Sequence, residues 1–258
     1  MTFFKYQRSM WTAIAALGFA SAAHAGPITP DIIFGSGNAN GSFTVSTETL
    51  FFPSNPIGGD IELGLRAKLR YNESGSPENT FNWDEVDTYS FDLANSNSPS
   101  NRAMWNYEWS ANIEGLKDDG NQVTIPQLVE SGGELILSYD IDPGVGTMFT
   151  DYDVFDFDAY YGTNATANGG GTYDNTGTPV ADSTVAQNSV NYGFLLGSPP
   201  LGAGIFDLNL TAYSFGGAEL ASTGIRVNVA PVSVPEPGTL ALMGLGLTGM
   251  CYARRRRS

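Results

Sequence analysis

Histidine and cysteine are nearly missing. The 258-residue chain holds one of each, His24 and Cys251, both in its terminal stretches. The long middle therefore offers no Ser-His-Asp or Cys-His catalytic set, no His or Cys zinc site and no disulfide. Basic residues are scarce as well, with 12 Lys and Arg against 27 Asp and Glu. Lys5 and Arg8 stand near the start, and Arg254, Arg255, Arg256 and Arg257 at the end. Gly26–Val234 is left with six basic against 26 acidic residues, a net charge of −20. A surface that negative repels phosphate backbones, which excludes nucleic acid as a partner. No amphipathic pattern persists for three helical turns, so a helical bundle is excluded too.

What the chain does have is two terminal segments of unusual character. Residues 1–25 combine the basic Lys5 and Arg8, a short apolar run from Trp11 to Ala20, and Ala23-His24-Ala25 before Gly26. Charge, greasy core and a small–x–small site make a secretory signal peptide, cut by signal peptidase between Ala25 and Gly26. His24 leaves with it. At the other end, residues 230–238 form an extended linker that includes Pro235-Glu236-Pro237-Gly238. An uncharged stretch follows over 239–253 and an Arg-rich tail over 254–258. As a helix the uncharged stretch is about 22 Å long, against roughly 30 Å of bilayer hydrocarbon. With flanking Arg residues held on the cytoplasmic side, it predicts a single transmembrane helix anchoring a precursor in the inner membrane. Cys251 falls in this helix as a passive apolar residue.

The order of these C-terminal parts resembles the PEP-CTERM protein-sorting domain of Gram-negative bacteria. The residues that carry the likeness are Pro235, Glu236 and Pro237, the glycine-rich apolar stretch with Gly244, Gly246 and Gly249, and the terminal Arg cluster. The resemblance covers about a tenth of the chain. It implies an exosortase as partner, processing at or near Pro235-Glu236-Pro237, and delivery to the cell surface or exterior, often beside exopolysaccharide. The three residues are then a substrate motif, not a catalytic one.

Residues 26–229 read as an all-β body. Apolar residues fall on every second position at Ile61–Tyr71, Ala103–Ile113, Leu135–Ile141, Phe206–Ala212 and Ile225–Val229. That period marks strands with one wet face. Gly216-Gly217 predicts a hairpin turn between the last two. Weaker strand signals cover Ile32–Phe34, Phe43–Val45, Tyr89–Leu93 and Tyr152–Tyr160, the last with a bulge at Val154-Phe155. Residues 182–196 predict a short helical turn ahead of a strand, and 163–179 a loop excursion. Nine to eleven strands with Gly, Asn and Ser-rich connections point to an antiparallel, jelly-roll-like β-sandwich. One domain is favoured over two split near 120–130.

Three constellations bear on chemistry. Asp151, Asp153, Asp156 and Asp158 place four carboxylates in eight residues, and calcium, a hard cation bound by oxygen, relieves such repulsion. The spacing lacks the EF-hand glycine and final glutamate, and the run also reads as a strand with a solvated acidic face. Glu108, between Trp105 and Trp109, is the best candidate for a glycosidase carboxylate. Strand phase turns it away from both rings, which favours an exposed Glu behind a buried Trp stripe. Asp84, Glu85 and Asp87 beside Trp83 raise the same question. Finally, Trp83, Trp105, Tyr107, Trp109, Tyr160 and Tyr161 are candidate platforms for sugar rings, and also ordinary core residues.

The reading that results is an exported, non-enzymatic surface or extracellular-matrix protein, sorted by an exosortase, with extracellular polysaccharide as a candidate partner and no obligatory cofactor. A carbohydrate-active enzyme with a carboxylate pair and a calcium-dependent glycan-binding adhesin are the alternatives.

Overall fold

The computed structural model describes residues 32–35, 38–50, 57–144, 146–195, 202–214 and 216–231. Among these, fourteen strands form in chain order. They are β1 (Thr44–Leu50), β2 (Ile57–Tyr71), β3 (Pro77–Thr80), β4 (Thr88–Asp92), β5 (Trp105–Asn112), β6 (Lys117–Asp118) and β7 (Asn121–Gln122). After the one short helix α1 (Ile125–Glu130) come β8 (Glu134–Asp140), β9 (Phe149–Asp153), β10 (Ala159–Gly162), β11 (Thr172–Asp174), β12 (Val185–Asn191), β13 (Gly204–Tyr213) and β14 (Glu219–Ala230). A nine-stranded sheet runs β11-β10-β12-β5-β2-β6-β7, with β1 and β3 also on β2; a five-stranded sheet runs β4-β14-β13-β8-β9.

The period-2 patterns explain how the sheets meet. In the β2–β5 ladder Leu65 lies opposite Trp109, Ala67 opposite Tyr107 and Leu69 opposite Trp105, all on one face. Leu137, Phe206, Leu208, Ile225 and Val227 of the second sheet share their core, and each of these residues is buried. Trp105 stacks on Tyr192 with ring centres 4.1 Å apart and packs against Phe206 at 5.8 Å. Each large side chain buried this way contributes on the order of 2 kcal/mol through area removed from water. The β13–β14 hairpin turns at Gly216-Gly217, whose φ angles of 92° and 78° suit glycine alone. Helix α1 is held by a capping box between Thr124 and Gln127.

Several expectations need correction. The sandwich is not a jelly roll and not purely antiparallel: its sheets hold nine and five strands, and β4 joins β14 in parallel. Tyr152–Tyr160 is not one bulged strand. Asp153 caps a 3-10 turn over Val154–Asp156, and the chain passes there from one sheet to the other. The turn expected ahead of β12 follows it instead, at Tyr192–Phe194. The excursion at 163–179 contains β11, which pairs with β10. Ile32–Phe34 forms no strand.

The transmembrane helix and the inner-membrane-anchored precursor are likewise corrected. No helix among the described residues is long and apolar enough to cross a membrane; α1, with six residues, is the one α-helix among them. The stretch over 239–253, the signal peptide over 1–25 and the tail over 254–258 lie outside the described residues.

Candidate functional site

The outer face of β2 and β5 is the largest departure from expectation. Instead of a wet face, it carries a buried ion triad. Arg66 and Glu108 are cross-strand partners, and both side chains are fully buried. Arg66 donates to Glu108, and the Lys68 ammonium pairs with the other carboxylate oxygen. A segment ahead of β1, within residues 32–43, covers them as a strap. Arg66 donates to the carbonyls of Ala39 (2.8 Å) and Gly41, and Lys68 to Asn38 Oδ1. The guanidinium also sits 4.1 Å from the centre of the Phe43 ring and 4.5 Å from that of Phe81. Burial pulls the pKa of both bases down, and attraction to Glu108 offsets part of that.

The strap is anchored along its length. Gln187 accepts from Ile33 N at 2.9 Å, and Gly171 N donates to Ile33 O at 2.8 Å. Gly171 permits this approach, since a Cβ there would lie 2.3 Å from Ile33 O. Gly64 similarly leaves room for Phe43, 3.1 Å from where its Cβ would stand. Ile32, Phe34 and Phe43 form a second small core with Val45 and Tyr160.

Next to the strap lies a groove of about 630 Å³, within the ~300–1,000 Å³ range of ligand sites. Phe34 and Asn38 of the strap line it together with Tyr107, Trp109 and Tyr152. Three exposed rings converge on it: Phe157, Tyr173 and Phe194. Tyr160 and Tyr173 pack with centres 5.0 Å apart, and Phe157 meets Tyr152 edge-on at 4.9 Å. Polar groups are few and held in place. Tyr173 donates to Asp158 at 2.7 Å, which raises the phenol pKa to about 12, and Asn188 donates to the Asp158 carbonyl at 2.5 Å. The Tyr107 and Tyr152 hydroxyls share a hydrogen bond of 2.5 Å. Apolar rings that lie open to water beside amide and hydroxyl groups suit a ligand with both C–H faces and hydroxyls.

Three of the six aromatic candidates meet in this groove. Trp105 and Tyr161 are core residues, and Trp83 stacks on Tyr89 with centres 6.3 Å apart, elsewhere. Tyr107, Trp109 and Tyr160 do line the groove, whereas Phe157, Tyr173 and Phe194 were missed because they sit in loops and a three-residue strand. Glu108 is not the exposed residue expected; wholly buried against two cations, it has no contact with solvent through which to exchange a proton with substrate. Asp84 is a turn residue. Its burial raises the carboxyl pKa, but donors from Thr88, Val86 and Asp87 outweigh this and hold it low.

The four aspartates are dispersed. Asp151 is exposed on β9 and Asp153 accepts from Phe155 N (3.0 Å) and Leu135 N (3.3 Å). Asp156 is exposed in the 3-10 turn, and Asp158 faces Tyr173. Among the described residues no group of three or more His, Cys, Asp or Glu is placed to hold a metal ion. Ala25, Gly26, Pro235, Glu236 and Pro237 lie outside the described residues.

Compared with known families, residues 233–257 match the PEP-CTERM protein-sorting motif. No curated protein and no solved structure matches the chain. The match spans most of the linker, the uncharged stretch and most of the Arg tail, the same parts that carry the resemblance in the sequence.

Proposed function

We propose, from the premise that this chain is an exported protein sorted by an exosortase through its PEP-CTERM motif, that its body is a non-catalytic module holding extracellular polysaccharide in the aromatic groove. The observation behind this reading is the convergence of Phe157, Tyr173 and Phe194, exposed by 55%, 49% and 55%, on one groove. Exposed rings in a cluster have no role in the core, and pyranose rings stack on such faces. Pro235, Glu236 and Pro237 are the processing motif, and signal peptidase acts between Ala25 and Gly26. Pro235 follows the end of β14 by five residues, so an extended linker keeps it within about 18 Å of the folded body.

Two measurements test the two halves. Mass spectrometry of the mature termini, in cells with and without exosortase, is expected to place the new C-terminus at Pro235–Pro237 only when the enzyme is present. Glu236→Ala is expected to leave the tail intact. Co-sedimentation of the exported protein with the cells' own extracellular polysaccharide should be lost in the double variant Phe157→Ala/Tyr173→Ala. Retention of binding in that variant would remove the groove from the account.

A further inference from the structure

We infer that the groove selects an uncharged glycan and takes an internal stretch of the chain. This rests on the polysaccharide reading above and narrows its ligand. Among the described residues Asp158 is the one charged side chain lining the groove. A uronate or sulfate brought there would meet a carboxylate and no lining cation. Two basic groups touch lining residues without lining the groove themselves. Lys68 reaches Asn38 from within the buried triad. Arg102 sits over the Phe194 ring, 4.3 Å from its centre, and donates to Asn101 O at 3.1 Å. Beyond the groove, six basic against 26 acidic residues over Gly26–Val234 add a negative field that keeps anionic chains away. Sugar hydroxyls suit what remains. Asn188 uses one amide hydrogen on the Asp158 carbonyl and keeps a second, while Asp158 keeps acceptor capacity beside its bond from Tyr173.

The placement of the rings argues for a chain that passes through. β10 pairs with β12 only from Tyr160–Gln187 to Gly162–Val185, and beyond Gln187 no strand among the described residues covers that side of β12. The groove follows this free edge. Tyr160 and Tyr173 are paired residues on the face that bears the strap, whereas Asn188 lies across from Trp109 on the core-facing side. A ligand touching both must run around the sheet edge, longer than one sugar ring.

Affinity electrophoresis of the exported full chain tests this, in gels containing galactomannan, xyloglucan or laminarin as uncharged chains, and alginate or polygalacturonate as anionic ones. Retardation by at least one uncharged chain is expected, weakened tenfold or more in Tyr173→Ala and little changed by 0.5 M NaCl. The monosaccharides of that chain should fail to compete at a hundredfold excess over the chain's residues. The anionic gels should leave mobility unchanged. Retardation by alginate that Tyr173→Ala abolishes would overturn the charge selection while leaving polysaccharide binding standing. Competition by a monosaccharide would overturn the passage of an internal stretch. Retardation by none of these chains, together with no co-sedimentation with the cells' own polysaccharide, would overturn the polysaccharide reading itself.

Discussion

Glu108 lies directly across the β2–β5 ladder from Arg66, and neither side chain touches solvent. Lys68, two residues along β2, completes a triad with two cations and one anion. Taking three charges out of water is costly, and the arrangement holds because each charge meets an opposite charge, a carbonyl or an amide oxygen. The carbonyls come from the strap, so the strap and the ion triad depend on each other.

Glu108→Gln should therefore destabilise the body by about 3–5 kcal/mol, because it leaves two buried cations without their anion. Urea unfolding should show a lower midpoint with an unchanged slope. Replacing Arg66, Lys68 and Glu108 together by Met should cost less than the single change, since no charge is then left unpaired. A triple variant weaker than Glu108→Gln would mean that strap hydrogen bonds, not charge balance, dominate.

Gly171→Ala should release the strap at Ile33 while leaving the triad's own three side chains in place. The added methyl meets Ile33 O at 2.3 Å, a contact that only backbone movement relieves. The expected cost is about 2 kcal/mol. Hydrogen exchange should quicken at Ile33, whose N–H donates to Gln187, and glycan binding should weaken as Phe34 leaves the groove wall. Unchanged exchange at Ile33 would refute the clasp.

These two positions mark what the sequence could and could not reveal. The alternation at Ile61–Tyr71 and Ala103–Ile113 correctly located β2 and β5, because one face of each is apolar. It also pointed to a wet opposite face, because Arg66, Lys68 and Glu108 read as solvated residues in a local window. Their cover comes from residues 38–43, at least 23 positions away in the chain, and period-2 patterning carries no information about what lies over a face. The groove was hidden for a related reason. Phe157, Tyr173 and Phe194 fall in a turn, a three-residue strand and a 3-10 turn, where no periodicity singles them out. The sorting motif was legible because its residues are contiguous.

Asp153→Asn should be neutral or slightly stabilising at pH 7. Burial raises the Asp153 carboxyl pKa above its ordinary value, against the pull of the Phe155 and Leu135 N–H groups. A raised folded pKa gives stability that is fully present below about 4 and lost as pH rises through the folded value. Asparagine keeps the acceptor oxygen and removes that penalty, whereas Asp153→Ala loses the cap and should cost about 1 kcal/mol. Thermal melts of the wild-type protein with 5 mM calcium are expected to match those without it, given the dispersal of Asp151, Asp153, Asp156 and Asp158. A calcium-dependent rise in Tm that Asp153→Asn removes would restore a metal role to this run.

Asn191→Ala should cost about 3 kcal/mol. Its buried amide accepts from Ala103 N at 2.8 Å and Gly193 N at 3.2 Å, and donates to Ala103 O, Trp105 O and Asn106 Oδ1. Truncation leaves five groups short of a partner, each costing of the order of 1 kcal/mol less what water recovers. Asn191→Asp tests the same bonds differently: it keeps the acceptor for Ala103 N but turns a donor toward three oxygens into an acceptor. It should be as destabilising as alanine when measured by urea unfolding at pH 7.

Alkaline unfolding should be steep. Tyr89, Tyr107, Tyr152, Tyr161 and Tyr192 all have pKa values raised above the ordinary 10, with burial the leading cause in each. In the unfolded chain they ionise near pH 10, so above that pH the folded state binds more protons than the unfolded one. Stability is then fully present below pH 10 and falls as pH rises, by up to about 1.4 kcal/mol per pH unit for each tyrosine still neutral in the fold. Urea midpoints measured at pH 9, 10 and 11 should fall with increasing slope. Absorbance at 295 nm should show these tyrosines ionising together with unfolding, after the exposed ones. Tyr107→Phe removes one ionisable group and should flatten the slope while lowering stability at pH 8, since Tyr152 loses the partner at 2.5 Å. An unchanged slope in Tyr107→Phe would place the alkaline sensitivity elsewhere, with Lys68 and Arg66 of the triad as the next groups to vary.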